Sequence, residues 1–187
     1  MDLAWTDERT HLTVKNVGLI TSSGPNGQNI MSAEWTHQVS YSPGLIAVCI
    51  GPGKATVENI RATKEFGVSI ASTELAGLAS IAGSNSGKEI NKIKALEELG
   101  FKFYKAKKIK TIMAEGAVLN LECKLVKEIT LGDHIMFVGE VVEIAAKPEK
   151  KTLAYTRKTY GEVTFNVTKP AEADRKKIAV VLEKYKK

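Results

Sequence analysis

Chemistry-bearing residues are scarce in this 187-residue chain: it has two cysteines, three histidines, two tryptophans and five prolines. Cys49 and Cys123 lie in the apolar stretches LIAVCI and LNLECKL, with no CxxC pair. That excludes a dithiol redox motif and a zinc knuckle, and buried free thiols are expected. With so few histidines, no metal site is expected. No window approaches the roughly 18 consecutive apolar residues of a membrane span. The opening MDLAWTDERTHL is acidic and polar where a signal peptide is basic and then apolar. The expectation is a cytoplasmic protein with no membrane partner.

Arginine is also scarce. Lysine and arginine total 27 against 21 acids, a net charge of +6, yet only Arg9, Arg61, Arg157 and Arg175 are arginines. Nucleic-acid readers depend on arginine for bidentate contacts to bases and phosphates. The balance therefore favours anionic partners, phosphorylated cofactors included, without specifying nucleic acid.

The 43% of apolar residues suffices for one core, and one domain spanning residues 1–187 is expected. LTVKNVGLIT (12–21), IMSAEW (30–35) and FGVSIAS (66–72) read as strands. LIAVCI, between Pro43-Gly44 and Gly51-Pro52-Gly53, reads as a strand buried on both faces. Thr56 is a candidate N-cap for a short helix, Thr73 for a second, and NKIKALEELG a third with Gly100 at C′. In GAVLNLECKLVK, residues 117, 119, 121, 123 and 125 share an apolar face, opposite Asn120, Glu122 and Lys124. Gly132-Asp133 then turns into HIMFVGEVVEI, so 116–144 reads as an antiparallel hairpin. The tail 171–187 has helical spacing at Ile178, Val181, Leu182 and Tyr185. The fold class is mainly β with short helices (α+β), an antiparallel and nearly closed barrel over about 10–168.

Two glycine-lysine stretches look like phosphate loops and are not. GPGKAT (51–56) and GSNSGKE (83–89) both miss the G-x-x-x-x-G-K-[ST] spacing, and no G-x-G-x-x-G is present. The lysines of FKFYKAKKIK (101–110) interleave aromatics, as a single-strand binder would. The simpler reading puts Phe101 and Phe103 toward the core and the lysines in solvent.

What is left is a set of polar and aromatic residues beside turns or at strand ends: Asn29, Ser32, Trp35, Lys54, Thr56, Lys92 and His134. Taken singly, each has an ordinary structural use as core aromatic, turn residue, helix cap or solvated charge. In combination, NIMSAEWTHQVSYSPGLIAVCIGPGKATVENIRATKEFGVSI, with GDHIMFVGEVVEI downstream, resembles the flavin reductase-like family on the FMN-binding split barrel. Flavoredoxin is the nearest branch.

That resemblance implies a homodimer with FMN at the subunit interface. By matching position it implies FMN contacts from Asn29, Trp35, Thr56, Lys92, His134 and Phe165. Backbone of Met31, Ser32 and Ala33 and the stretch Ser84, Asn85, Ser86 would join them. The chemistry suits each type. A phosphate dianion calls for the Thr56 hydroxyl, first-turn amides and the charges of Lys54 and Lys92. Trp35 or Phe165 would wall the ring, Asn29 would donate to it, and His134 would pair with phosphate or donate near the flavin. No catalytic side chain is expected, because the flavin carries the chemistry. The implied activity is an oxidoreductase that passes electrons through FMN. Its donor is NAD(P)H or a ferredoxin-like protein, and its acceptor is flavin, ferric iron or a protein. A non-catalytic FMN electron carrier is the alternative, and a basic nucleic-acid-binding barrel the remote one.

Overall fold

The computed structural model describes residues 3–5 and 7–186. In chain order come β1 (Lys15–Asn16), β2 (Gly18–Ser22), β3 (Asn29–Ala33), β4 (Thr36–Ser40) and β5 (Leu45–Ile50). Next follow α1 (Ala55–Thr63), β6 (Glu65–Ile70), α2 (Ala76–Ser84), α3 (Lys92–Glu98), β7 (Phe103–Lys105) and β8 (Ile112–Ala114). The long β9 (Leu119–Leu131) and β10 (His134–Ala146), then β11 (Leu153–Thr156), β12 (Thr159–Glu162) and α4 (Glu172–Glu183), complete the chain.

Seven strands form one antiparallel sheet in the order β3-β2-β6-β9-β10-β5-β4, curled into a half-barrel. Its edges, β3 and β4, are joined by Glu34 and Trp35, where the Thr36 hydroxyl donates to the Ala33 carbonyl over 3.1 Å. The barrel is thus split at this edge. LIAVCI forms β5 with the expected bounds, held between β4 and β10, with Val48 opposite both Thr36 and Phe137.

Both faces of the sheet near β2 are covered, so β2 is buried along its whole length. Ile20 points into the barrel with Val48, Phe66, Val68, Leu121 and Phe137. Its neighbour Leu19 points out, under Leu78, Ala79 and Ala82 of α2 and Ile93 and Leu96 of α3. Full burial of a side chain such as Phe66 contributes about 1.5–3 kcal/mol. The same packing fixes α2 and α3 against β3.

The 116–144 hairpin forms as expected, with His134 opposite Leu131 across the Gly132-Asp133 turn. One face of β9 departs from expectation. Asn120 and Glu122 are buried, because the excursion carrying β7 and β8 folds over them. The Glu122 carboxylate accepts the backbone amides of Lys107 and Lys108 at 2.8 and 2.6 Å. Asn120 donates to the Ala114 carbonyl over 3.2 Å. Phe101 and Phe103 pack toward the core while Lys105, Lys107, Lys108 and Lys110 are exposed, as the simpler reading of that segment has it.

Helix ends bring two corrections. Lys54, whose backbone is extended, is the N-cap of α1, so Thr56 lies inside the first turn, where its hydroxyl accepts from Asn29. Thr73 opens a short 3-10 turn, and α2 begins only at Ala76. Gly100 does take the C′ place of α3: its amide donates to Glu97 and that of Phe101 to Leu96, a Schellman closure. The β11–β12 hairpin has no counterpart in the sequence reading; it pairs with β1 as a second, three-stranded sheet. The tail helix is present as α4, but none of its side chains is buried.

Candidate functional site

The start of β3, the N-terminus of α1, the segment after α2 and the first residue of α3 converge on a cleft of about 70 Å³. Asn29, Met31, Ser32, Lys54, Thr56, Asn85, Ser86 and Lys92 all line it. The convergence follows from the core: Ile30 and Ile93 belong to one apolar cluster, Ile20 and Val57 to another, and β3 lies between the helices.

Its floor is a hydrogen bond from the Asn29 side-chain amide to the Thr56 hydroxyl, 2.9 Å long with both groups buried. Thr56 accepts there, so its own hydrogen remains to be donated. The amide of Val57 donates to the Lys54 carbonyl over 3.0 Å, while those of Ala55 and Thr56 precede any α-helical acceptor and sit at the positive end of the helix dipole.

Lys92 is the least expected occupant, being only 3% exposed. Its Nζ donates to the carbonyls of Ala82 and Asn85 at 3.0 and 3.1 Å. Burial, and then the Lys54 charge, push its ammonium down to about 8. Two amide carbonyls do not neutralise a buried cation, and an ammonium has a third hydrogen to give. The nearby carboxylate of α1, Glu58, is bound by Lys88 at 2.5 Å and Asn26 at 2.8 Å. The cleft is thus a cationic donor set suited to an anion.

Trp35 and His134 form a separate pair. Their rings stack at a centroid distance of 4.4 Å with a tilt of 49°. Trp35 is 39% exposed, and its carbonyl accepts the amide of Cys49. His134 Nδ1 is 2.7 Å from Asp133, whose carboxyl is held below its ordinary range by that contact. Both lie at the end of the sheet where β5 runs toward α1, so a ligand laid along β3 from Asn29 meets Trp35 last.

The Ala33 side chain belongs to the barrel core, which leaves the backbone contact expected of it untouched. Two expected contacts fall elsewhere. Ser84 faces an adjoining cavity of about 430 Å³. Phe165 is 95% exposed in the extended 163–170 segment, away from the cleft within its own chain. Sequence reasoning missed Gly87 and the Ala82 carbonyl. A β-carbon at Gly87 would stand 2.2 Å from Asn29 Oδ1, so only glycine admits the floor of the cleft. The glycine-serine run 83–87 was the signal for it. Cys123 is buried, its thiol pushed up to about 12 chiefly by desolvation, but Cys49 is only partly buried. Among the described residues no cluster of His, Cys, Asp and Glu could hold a metal. No helix among them is long and apolar enough to cross a membrane.

The chain is thus a small antiparallel half-barrel with a cationic cleft beside the edge strand β3. The family model "Flavin reductase like domain" matches residues 10–164, and the chain belongs to that family. It is 37% identical over 122 residues to an uncharacterised protein of Archaeoglobus fulgidus, covering 65% of this chain and 67% of that one. To a ferric-chelate reductase (NAD(P)H) of the same organism it is 29% identical over 139 residues, 73% and 79% of the two chains. The crystal structure of flavoredoxin from Methanosarcina acetivorans superposes with a TM-score of 0.78, covering 94% of this chain and 99% of that one at 17% identity. That last likeness is one of fold. It agrees with the split barrel expected from the sequence.

Proposed function

We propose that the chain is an FMN-dependent oxidoreductase, with the phosphate of FMN seated in the Lys92 cleft. The buried ammonium beside Lys54 carries this reading. A monoester phosphate is a dianion near neutral pH, and the cleft offers it the Thr56 hydroxyl, first-turn amides and two lysines. Met31 and Ser32 line the cleft, and two residues past the end of β3 the Trp35 indole would provide an apolar wall for a flat ring.

Bound FMN would supply the centre that takes up a hydride or electrons. The protein's part is to bind and orient. Asn29 holds the Thr56 hydroxyl toward the anion, Lys92 fixes its charge without solvent, and the Trp35–His134 pair limits one face of the ring site. A relative named as an NAD(P)H-dependent ferric-chelate reductase supports a nicotinamide donor. The protein would act as a homodimer: Phe165 and Val167 are almost fully exposed and the apolar residues of α4 about half exposed or more among the described residues, and Phe165 of the partner subunit would complete the ring wall.

The exposed lysines of 102–110 favour a second reading, an electron carrier that docks an acidic redox protein. Anaerobic mixing of FMN-loaded protein with NADH, NADPH or reduced ferredoxin separates the two. Bleaching of the flavin band by a nicotinamide, with turnover on a ferric chelate, supports the reductase. Bleaching by ferredoxin alone supports the carrier. Bleaching by neither contradicts both.

A further inference from the structure

The 430 Å³ cavity that takes Ser84 adjoins the cleft and shares Ser32 and Gly83 with it. One wall is α2, through Ser80 and Ser84; the other is the β11–β12 hairpin, through Tyr155, Lys158 and Tyr160. The two tyrosine rings lie 5.4 Å apart with a tilt of 56°. At the rim, Glu34 is bound by Lys15 at 2.5 Å.

The hairpin tip is unusual. Thr156 pairs with Thr159, leaving a two-residue turn in which Arg157 and Lys158 have φ of +48° and +62°. Such turns favour Asn-Gly, because a β-carbon disfavours the left-handed region. Two long cations are held there against that preference, and Lys158 lines the cavity. Strain of this kind at a cavity rim points to function.

Aromatic rings, facing hydroxyls and a cation at one end match a phosphorylated nucleoside. The base stacks on tyrosine, the ribose meets the serines, and an anion sits by lysine. We propose that this cavity seats the adenosine half of the nicotinamide dinucleotide, and that Lys158, with Arg157 beside it, selects the form phosphorylated on the ribose 2′-oxygen. The inference rests on the reductase reading above. Arginine near a ribose plays the same part in other dinucleotide sites.

Lys158→Gly tests it, since glycine suits the turn and keeps the hairpin while removing the charge. With saturating FMN, kcat/KM is measured for NADPH and NADH in the parent and variant. The parent is expected to favour NADPH, and Lys158→Gly to lower its kcat/KM about tenfold with NADH changed less than about twofold. An equal loss on both dinucleotides would assign Lys158 to the shared pyrophosphate and overturn the selectivity. Calorimetry with adenosine 2′,5′-bisphosphate and 5′-AMP reads the seat without turnover. Tighter binding of the bisphosphate, lost in Lys158→Gly, supports the seat even if neither dinucleotide is oxidised, an outcome that would sink the reductase reading alone. Equal binding of the two nucleotides overturns the inference.

Discussion

Asn29 donates its side-chain amide to the hydroxyl of Thr56 over 2.9 Å, tying the first residue of β3 to the first turn of α1. The bond spans 27 positions of sequence and is wholly buried. It converts a helix terminus that would otherwise face solvent into the floor of a shaped, cationic cleft.

Lys92 sets the pH dependence of that cleft. Its folded value of about 8 lies below the ordinary 10.5, so between those limits the unfolded chain holds more protons. Stability of the flavin-free protein therefore rises with pH across that window. A bound phosphate favours the charged ammonium and takes up a proton there, so FMN affinity is expected to be flat just below pH 8 and to fall above it. Lys92→Met is expected to weaken FMN by about tenfold or more and to flatten the alkaline fall. Fluorescence titration with FMN from pH 7 to about 10, within the range set by these values, reads both effects.

Gly87 guards the geometry. In Gly87→Ala the new methyl would meet Asn29 Oδ1, 2.2 Å away, and displace the amide from Thr56. Loss of one neutral hydrogen bond corresponds to a roughly two- to tenfold weaker FMN complex. Near-UV circular dichroism is expected to show the fold intact.

Trp35, partly exposed and stacked on His134, is expected to report on the ring. FMN should quench much of the tryptophan emission of the parent protein. Trp35→Phe should abolish that quenching, whereas Trp5→Phe, at an exposed N-terminal position, should leave it in place.

Glu122 is expected to matter for stability and not for flavin. Its buried carboxylate accepts two backbone amides of the β7–β8 excursion. Glu122→Leu leaves both donors without that acceptor, at a cost of about 1–3 kcal/mol. Urea denaturation should show the lower midpoint, while FMN affinity of the folded protein stays within about twofold of the parent.

Much of this architecture is legible from local pattern. LIAVCI between two turn clusters gives β5 with its bounds, and Gly132-Asp133 between apolar runs gives the long hairpin. Asn120 and Glu122 mislead, because alternation speaks of a strand's two faces and not of a distant excursion that covers one of them. The β11–β12 hairpin is silent in sequence, since its turn is Arg157-Lys158 where the signal for such a turn is Asn-Gly. Thr56 resembles a cap, but the helix begins a residue earlier, with Lys54 as its N-cap. Lys92 reads as solvated on a polar helix, and only the fold of α2 over it shows that it is buried. Eight of the expected residues line one cleft; their places beside turns and strand ends and the resemblance of motifs point to them, and periodicity alone names none of them.

The most direct test of the account is the absorption spectrum of the purified protein after incubation with FMN and gel filtration. A yellow protein holding about one flavin per chain, with retention lost in Lys92→Met, is the expected result. A colourless protein whose FMN elutes entirely in the small-molecule volume, in the parent and the variant alike, would contradict the assignment of the Lys92 cleft to the phosphate of FMN.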